Sequence, residues 1–240
     1  MKILITGGCS FSECKSPWIK TWPLHLSAEL PDYQHISTGL SSQGNGLISR
    51  QVIYQVTESL KQTTAENILV GIMWSGPDRH DFFVDQYSTF FNSKEWNSKP
   101  VRFVKDSEGG WGICNYQWNN QISTAYYKQF HTYFGSLIYT LEHILRTQWF
   151  LKLHGVKYFM TTYTGEVLPD DAVPIHYDMQ HLNNLIDHSV FLPVVGEYEW
   201  CRDYSGLDFP VPGDNHPSTE QHKLFVEQVI LSFLKERTLI

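Results

Sequence analysis

A chain of 240 residues is long enough for one sizeable α/β domain with its own core and short for two. An apolar fraction of 42% with no low-complexity tract excludes a disordered chain. A net charge of −7 without a Lys/Arg cluster argues against a nucleic-acid partner, and no run approaches the roughly 18–20 apolar residues of a membrane span, so neither partner is expected.

Lys2–Thr6 is a five-residue run that ends in glycines, which predicts a buried first strand rather than a leader peptide. Residues Trp18–Leu30 fit a helix with a Pro-containing start, and Tyr33–Thr38 a short second strand. Asn45–Gln62 places Leu47, Ile48, Val52, Ile53, Val56 and Leu60 at helical spacing, and Asn67–Trp74 is an apolar run suited to a strand buried on both faces. Residues 76–120 break this rhythm and read as a long insertion holding a small hairpin or a lid. Ser123–His154 predicts the longest helix, with Gly155 past its end and Val156–Thr162 as a fourth strand. Asp178–His188 then reads as a short helix, Phe191–Val195 as a short strand, and Ser218 opens the last helix.

Strands alternating with helices imply a three-layer α/β/α sandwich around a mainly parallel, flavodoxin-like sheet. The whole chain, 1–240, is expected to form one domain interrupted by the insertion at about 76–120. In such sheets ligands bind beyond the carboxyl ends of the strands, where Ser10, Gly44 and Ser75 all fall. Cys9, Cys14, Cys114 and Cys201 show no paired spacing and fit reduced thiols, so a cytoplasmic protein is expected.

Two loops carry the chemistry. Gly7-Gly8-Cys9-Ser10 delivers a serine into the turn after the first strand, and Asp214-Asn215-His216-Pro217 sets a carboxylate beside an imidazole near the other end. A serine hydroxyl becomes a useful nucleophile when an imidazole takes its proton and a carboxylate orients that imidazole. The eleven histidines show no metal-ligand spacing, and neither a P-loop nor a Gly-x-Gly-x-x-Gly fingerprint is complete, so no metal or cofactor is expected. Asp78, Arg79, His80 and Asp81 cluster past a strand end where substrate contact is expected. Trp96, Phe103, Trp111, Tyr116 and Trp118 suggest either packing or a carbohydrate platform.

These loops, with Gln43-Gly44-Asn45-Gly46 and Ser75-Gly76-Pro77-Asp78 between them, resemble the sequence blocks of the SGNH/GDSL hydrolase superfamily, in order along the chain. The resemblance implies that Ser10 is the nucleophile, His216 its base, and the N–H groups of Ser10 and Gly44 oxyanion donors. It also implies an esterase acting on a small-molecule or carbohydrate ester, O-acetylated sugars first among them. An acyltransferase using the same serine and an inactive binding protein are the alternatives. Three positions depart from the family pattern. Cys9 replaces the usual Asp of Gly-Asp-Ser, and Asp214 is one residue nearer His216 than the family's Asp-x-x-His, with Asp208 or a main-chain carbonyl as other orienters. Pro77 stands where an Asn side chain donates to the oxyanion, which leaves Ser75, Asn45 or Arg79 to supply that contact.

Overall fold

The computed structural model describes residues 1–15, 19–87, 103–105, 109–114, 121–168 and 176–240. Four strands, β1 (Lys2–Gly7), β2 (Tyr33–Ser37), β3 (Ile68–Trp74) and β7 (Lys157–Thr162), form an all-parallel sheet in the order β2-β1-β3-β7. Numbered among themselves, these strands run 2-1-3-4, as in the doubly wound order 2-1-3-4-5.

The twofold alternation of a strand divides the apolar runs between two cores. Ile3, Ile5, Ile68, Val70, Ile72, Trp74, Tyr158 and Met160 face one side, where they meet α2 (Asn45–Leu60), α4 (Tyr133–Leu153) and α5 (Tyr177–Leu185). Leu4, Leu69, Met73 and Phe159 face the other, against α1 (Trp22–Glu29), α6 (Glu197–Tyr204) and the C-terminal helix. Gly71 belongs to this second face. A Cβ there would come within 2.6 Å of the Phe159 ring and 3.2 Å of Trp22, two rings that meet edge to face at 6.1 Å. The three layers are thus α/β/α, as the strand and helix alternation predicts.

Several elements differ from the sequence expectation. The first helix begins at Trp22, with Pro23 in its first turn; Trp18 lies outside the described residues. The long helix expected from Ser123 is two, α3 (Gln121–Gln129) and α4, because Thr132 has extended backbone and its hydroxyl accepts the Gly135 N–H, making it the N-cap of α4. Phe130 and Phe134 are exposed at this break. At the far end Gly155, at φ +67°, donates to Lys152 O while Val156 donates to Leu151 O, a Schellman closure.

The strand expected at Phe191–Val195 is reduced to one bridge, Phe191 to Met160, beside β7. The segment after it forms α6, whose buried Glu197, Trp200 and Cys201 sit three and four residues apart. The last helix starts as expected. Ser218 and Gln221 form a reciprocal capping box before α7 (Thr219–Phe225), which continues through a π turn (Val226–Ile230) into α8 (Leu231–Glu236).

The insertion contributes an antiparallel sheet, in which the last two strands pair with each other as the expected hairpin. Its strands β4 (His80–Asp85), β5 (Phe103–Lys105) and β6 (Gly109–Cys114) stand in the order β4-β6-β5. Trp96, Tyr116, Trp118 and the Phe103 side chain lie outside the described residues. Among the described residues no helix is long and apolar enough to cross a membrane, and all four cysteines are free.

Candidate active site

Ser10 owes its position to a glycine. Gly8 turns the chain out of β1 at φ +155°, where a Cβ would fall 2.3 Å from Ser12 Oγ and 2.9 Å from Met73 O. Ser10–Ser12 then form one 3₁₀ turn, closed by Ser12 N–H donating to Cys9 O at 2.9 Å. Ser12 Oγ is held by the Trp22 Nε1–H at 2.9 Å, which ties the turn to α1. Ser10 opens this turn, and the first N–H groups of a helical turn have no acceptor within it.

His216 comes from the opposite end of the chain, fixed between two local devices. Before it, Asp214 N–H donates to Val211 O, with Pro212 second and Gly213 third at φ +80°, the residue pattern and φ of a type II turn. After it, Pro217 leads into the capping box at Ser218. Asp214 Oδ1 accepts the His216 backbone N–H at 3.1 Å and lies 2.5 Å from His216 Nδ1. This Asx turn explains how a carboxylate only two residues away reaches the imidazole. Asp208 stands exposed in the loop after α6, and the carboxylate found beside His216 Nδ1 is that of Asp214.

His216 Nε2 lies 2.8 Å from Ser10 Oγ. An ionised carboxylate can only accept, so Nδ1 carries the proton toward Asp214 and Nε2 is left to accept the Ser10 hydroxyl. Partial burial works to raise the Asp214 carboxyl, but the hydrogen bonds and charge of His216 outweigh it and hold it below the usual carboxylate range. Phe11 supports the imidazole from below, with ring centroids 5.0 Å apart, and is itself edge-on to Tyr163 at 5.3 Å. His216 and Asp214, 41% and 49% exposed, open onto a cleft of about 910 Å³ that Phe11, Arg79, Tyr163 and Tyr198 also line.

Gly44 and Asn45, two of the expected oxyanion groups, are engaged elsewhere. Gly44 N–H donates to Asp81 Oδ1 at 3.0 Å, and Leu47 N–H donates to Asp81 Oδ2 at 2.9 Å. Asp81, one of the residues expected to touch substrate, is therefore the cap of α2, supplied from β4 because N-cap Gly44 has no side chain. A Cβ on Gly44 would sit 2.7 Å from Asp81 Oδ2 and 2.8 Å from Arg79 O, so the glycine is required by this contact.

Asn45 is likewise engaged. Its Nδ2 donates to Ser75 O at 2.9 Å and Thr140 Oγ1 at 3.1 Å, and its Oδ1 accepts the Ser75 N–H at 2.7 Å. Both amide hydrogens have partners, and Asn45 ties the end of β3 to α2 and α4. Ser75 is buried with its Oγ accepting from Arg79 Nη1 at 2.7 Å.

Of the three groups expected to replace the Asn missing at Pro77, Arg79 alone reaches the cleft with donors to spare. Its guanidinium lies 5.3 Å over the Tyr163 ring. Burial opposes its charge, but the neighbouring Cys9, Tyr163 and Asp78 outweigh this and raise its pKa further. Sequence reasoning missed Phe11 and Tyr163 as supports, since an aromatic beside a nucleophile carries no signal of its own.

Among the described residues no group of three or more His, Cys, Asp or Glu is placed to hold a metal ion. Neither a protein-family model nor a curated protein matches the sequence. Across solved structures, one similar chain is a candidate GDSL-like lipase from Parabacteroides merdae ATCC 43184, 10% identical over 100% of this chain and 96% of that one, with a TM-score of 0.38.

Proposed function

We propose that this protein is a serine esterase, and the observation that carries the reading is the hydrogen-bonded series Asp214–His216–Ser10, whose carboxylate and imidazole line an open cleft. His216 Nε2 removes the Ser10 proton as Oγ attacks an ester carbonyl, and Asp214 stabilises the imidazolium that forms. The oxyanion faces the Ser10 N–H and the Arg79 guanidinium, a charged donor in the place of a neutral amide. His216 then protonates the leaving alcohol. Water, activated by the same imidazole, releases the acid and restores Ser10. The polar aromatic lining of the cleft, Tyr163 and Tyr198 among it, suits a hydroxylated alcohol such as an O-acetylated sugar.

Labelling with a fluorophosphonate probe tests this. A single adduct on Ser10 that disappears in His216→Ala is the expected result. Folded protein that takes no label would favour the binding-protein alternative, and label without hydrolysis of p-nitrophenyl acetate until a sugar acceptor is added would favour the acyltransferase.

A further inference from the structure

A second cavity, of about 300 Å³, lies between the start of α2, β4, β6, α3 and α4. Neither Ser10 nor His216 is among its lining residues; Arg79 is the side chain it shares with the cleft. Its walls are rich in cations and rings. The Arg50 guanidinium lies 4.8 Å over the Trp111 ring, and His80 stacks on Tyr126 with centroids 4.3 Å apart and planes 12° from parallel.

The one carboxylate lining it, Asp81, already accepts the Gly44 and Leu47 N–H groups with its two oxygens. Among the described residues no carboxylate pairs with Arg50. Arg146, one turn along α4 from the lining residue His143, donates Nε–H to Ser49 Oγ at 3.1 Å and keeps an enclosed Nη2 without a partner among the described residues. Burial, then the charges of Arg146 and Arg50, hold His143 down at about 4, so its imidazole is neutral. Donors and positive charge thus exceed what the surrounding acceptors can satisfy.

We propose that this cavity binds a small organic anion, with its carboxylate or phosphate group held by the Arg50 guanidinium and its apolar part against Trp111 and Tyr126. A planar guanidinium fixed on an aromatic face offers two parallel N–H donors, which match the two oxygens of such a group. The volume is at the lower end for ligand pockets and takes a single ring with its anionic substituent.

Calorimetric titration of the full chain with phenyl phosphate, benzoate and the neutral benzyl alcohol tests the proposal. Phenyl phosphate or benzoate binds at least about tenfold more tightly than benzyl alcohol, and whichever is tighter identifies the anionic group. Arg50→Gln, at an exposed position, weakens the tighter anion about tenfold or more while the thermal melt is unchanged, and Arg50→Lys recovers part of the loss. Ser10→Ala leaves the affinity as it was, so the site stands or falls apart from the esterase reading. Equal affinity for the neutral alcohol, no saturable binding of either anion, or unchanged affinity in Arg50→Gln overturns it. Loss of binding in Ser10→Ala would place the anion in the cleft instead and also overturns it.

Discussion

Two polar clusters flank the turn after β3, and they differ in where their hydrogen bonds go. On one side Asn45, Ser75 and Asp81 are bonded to one another's elements. Asn45 closes on both the N–H and the C=O of Ser75, and Asp81 closes on two N–H groups at the start of α2. On the other side Ser10, His216 and Asp214 are linked in a single series and open to solvent, held by turns and caps rather than by burial. Buried amides and carboxylates that lose a partner cost full desolvation, so the first cluster is structural. An exposed ion pair adds little stability, so the second is free to serve chemistry. Sequence position alone does not separate them, since Ser10 and Ser75 both lie just past a strand of the parallel sheet.

The contrast breaks if substitutions on the two sides act alike. Ser10→Ala should lower p-nitrophenyl acetate hydrolysis by roughly 10⁴-fold or more while the melting temperature stays within a degree or so. Asp214→Asn should follow at ~10²–10⁴-fold, because an Asn side chain can present its NH₂ to His216 and leave the imidazole in the wrong tautomer. A large loss of stability in either variant, measured by denaturant unfolding, would move these residues into the structural class.

Asn45→Ala tests the opposite side. It leaves the buried Ser75 N–H and C=O without the partner they have now, and the expected cost is about 2–4 kcal/mol in chemical denaturation. Turnover per folded molecule should change far less than in Ser10→Ala. If Asn45→Ala instead lost activity at unchanged stability, the amide would be an oxyanion donor after all.

How far the sequence disclosed this arrangement depended on whether a residue's partner was local. The two cores follow from period-two alternation in β1 and β3, and these apolar runs are legible without a structure. Asp214 and His216 were legible too, since Pro212, Gly213 and Ser218 announce a turn and a cap around them. Gly44 was misread because its N–H is taken by Asp81, 37 residues on, and nothing in Gly-Asn-Gly reveals a partner on another strand. The break between α3 and α4 falls at Phe130-His131-Thr132, where neither Gly nor Pro marks it and only the Thr132 cap does. Strands β4 and β6 mix aromatic, charged and glycine residues, and their pairing is set by each other rather than by a hydrophobic pattern.

Asp81 gives the smallest and most specific test of the structural side. Burial pushes its carboxyl up to about 6, against the N–H groups of Leu47 and Gly44 that pull it down. The unfolded chain releases the same proton near about 3.9, so the native state holds it more tightly. Its contribution to stability is therefore complete below about pH 4 and is lost as the pH rises toward 6, flattening above that. In Asp81→Asn this slope is absent. The stability difference between wild type and Asp81→Asn should accordingly shrink between pH 4.5 and 6.5, by something on the order of 1–2 kcal/mol. Titrations elsewhere, such as that of Asp214, contribute equally to both proteins and cancel in the difference, provided the sites do not share partners. A difference that is constant across this range would mean that Asp81 keeps an ordinary carboxylate pKa, and that its bonds to Gly44 and Leu47 reach it through water rather than inside the protein.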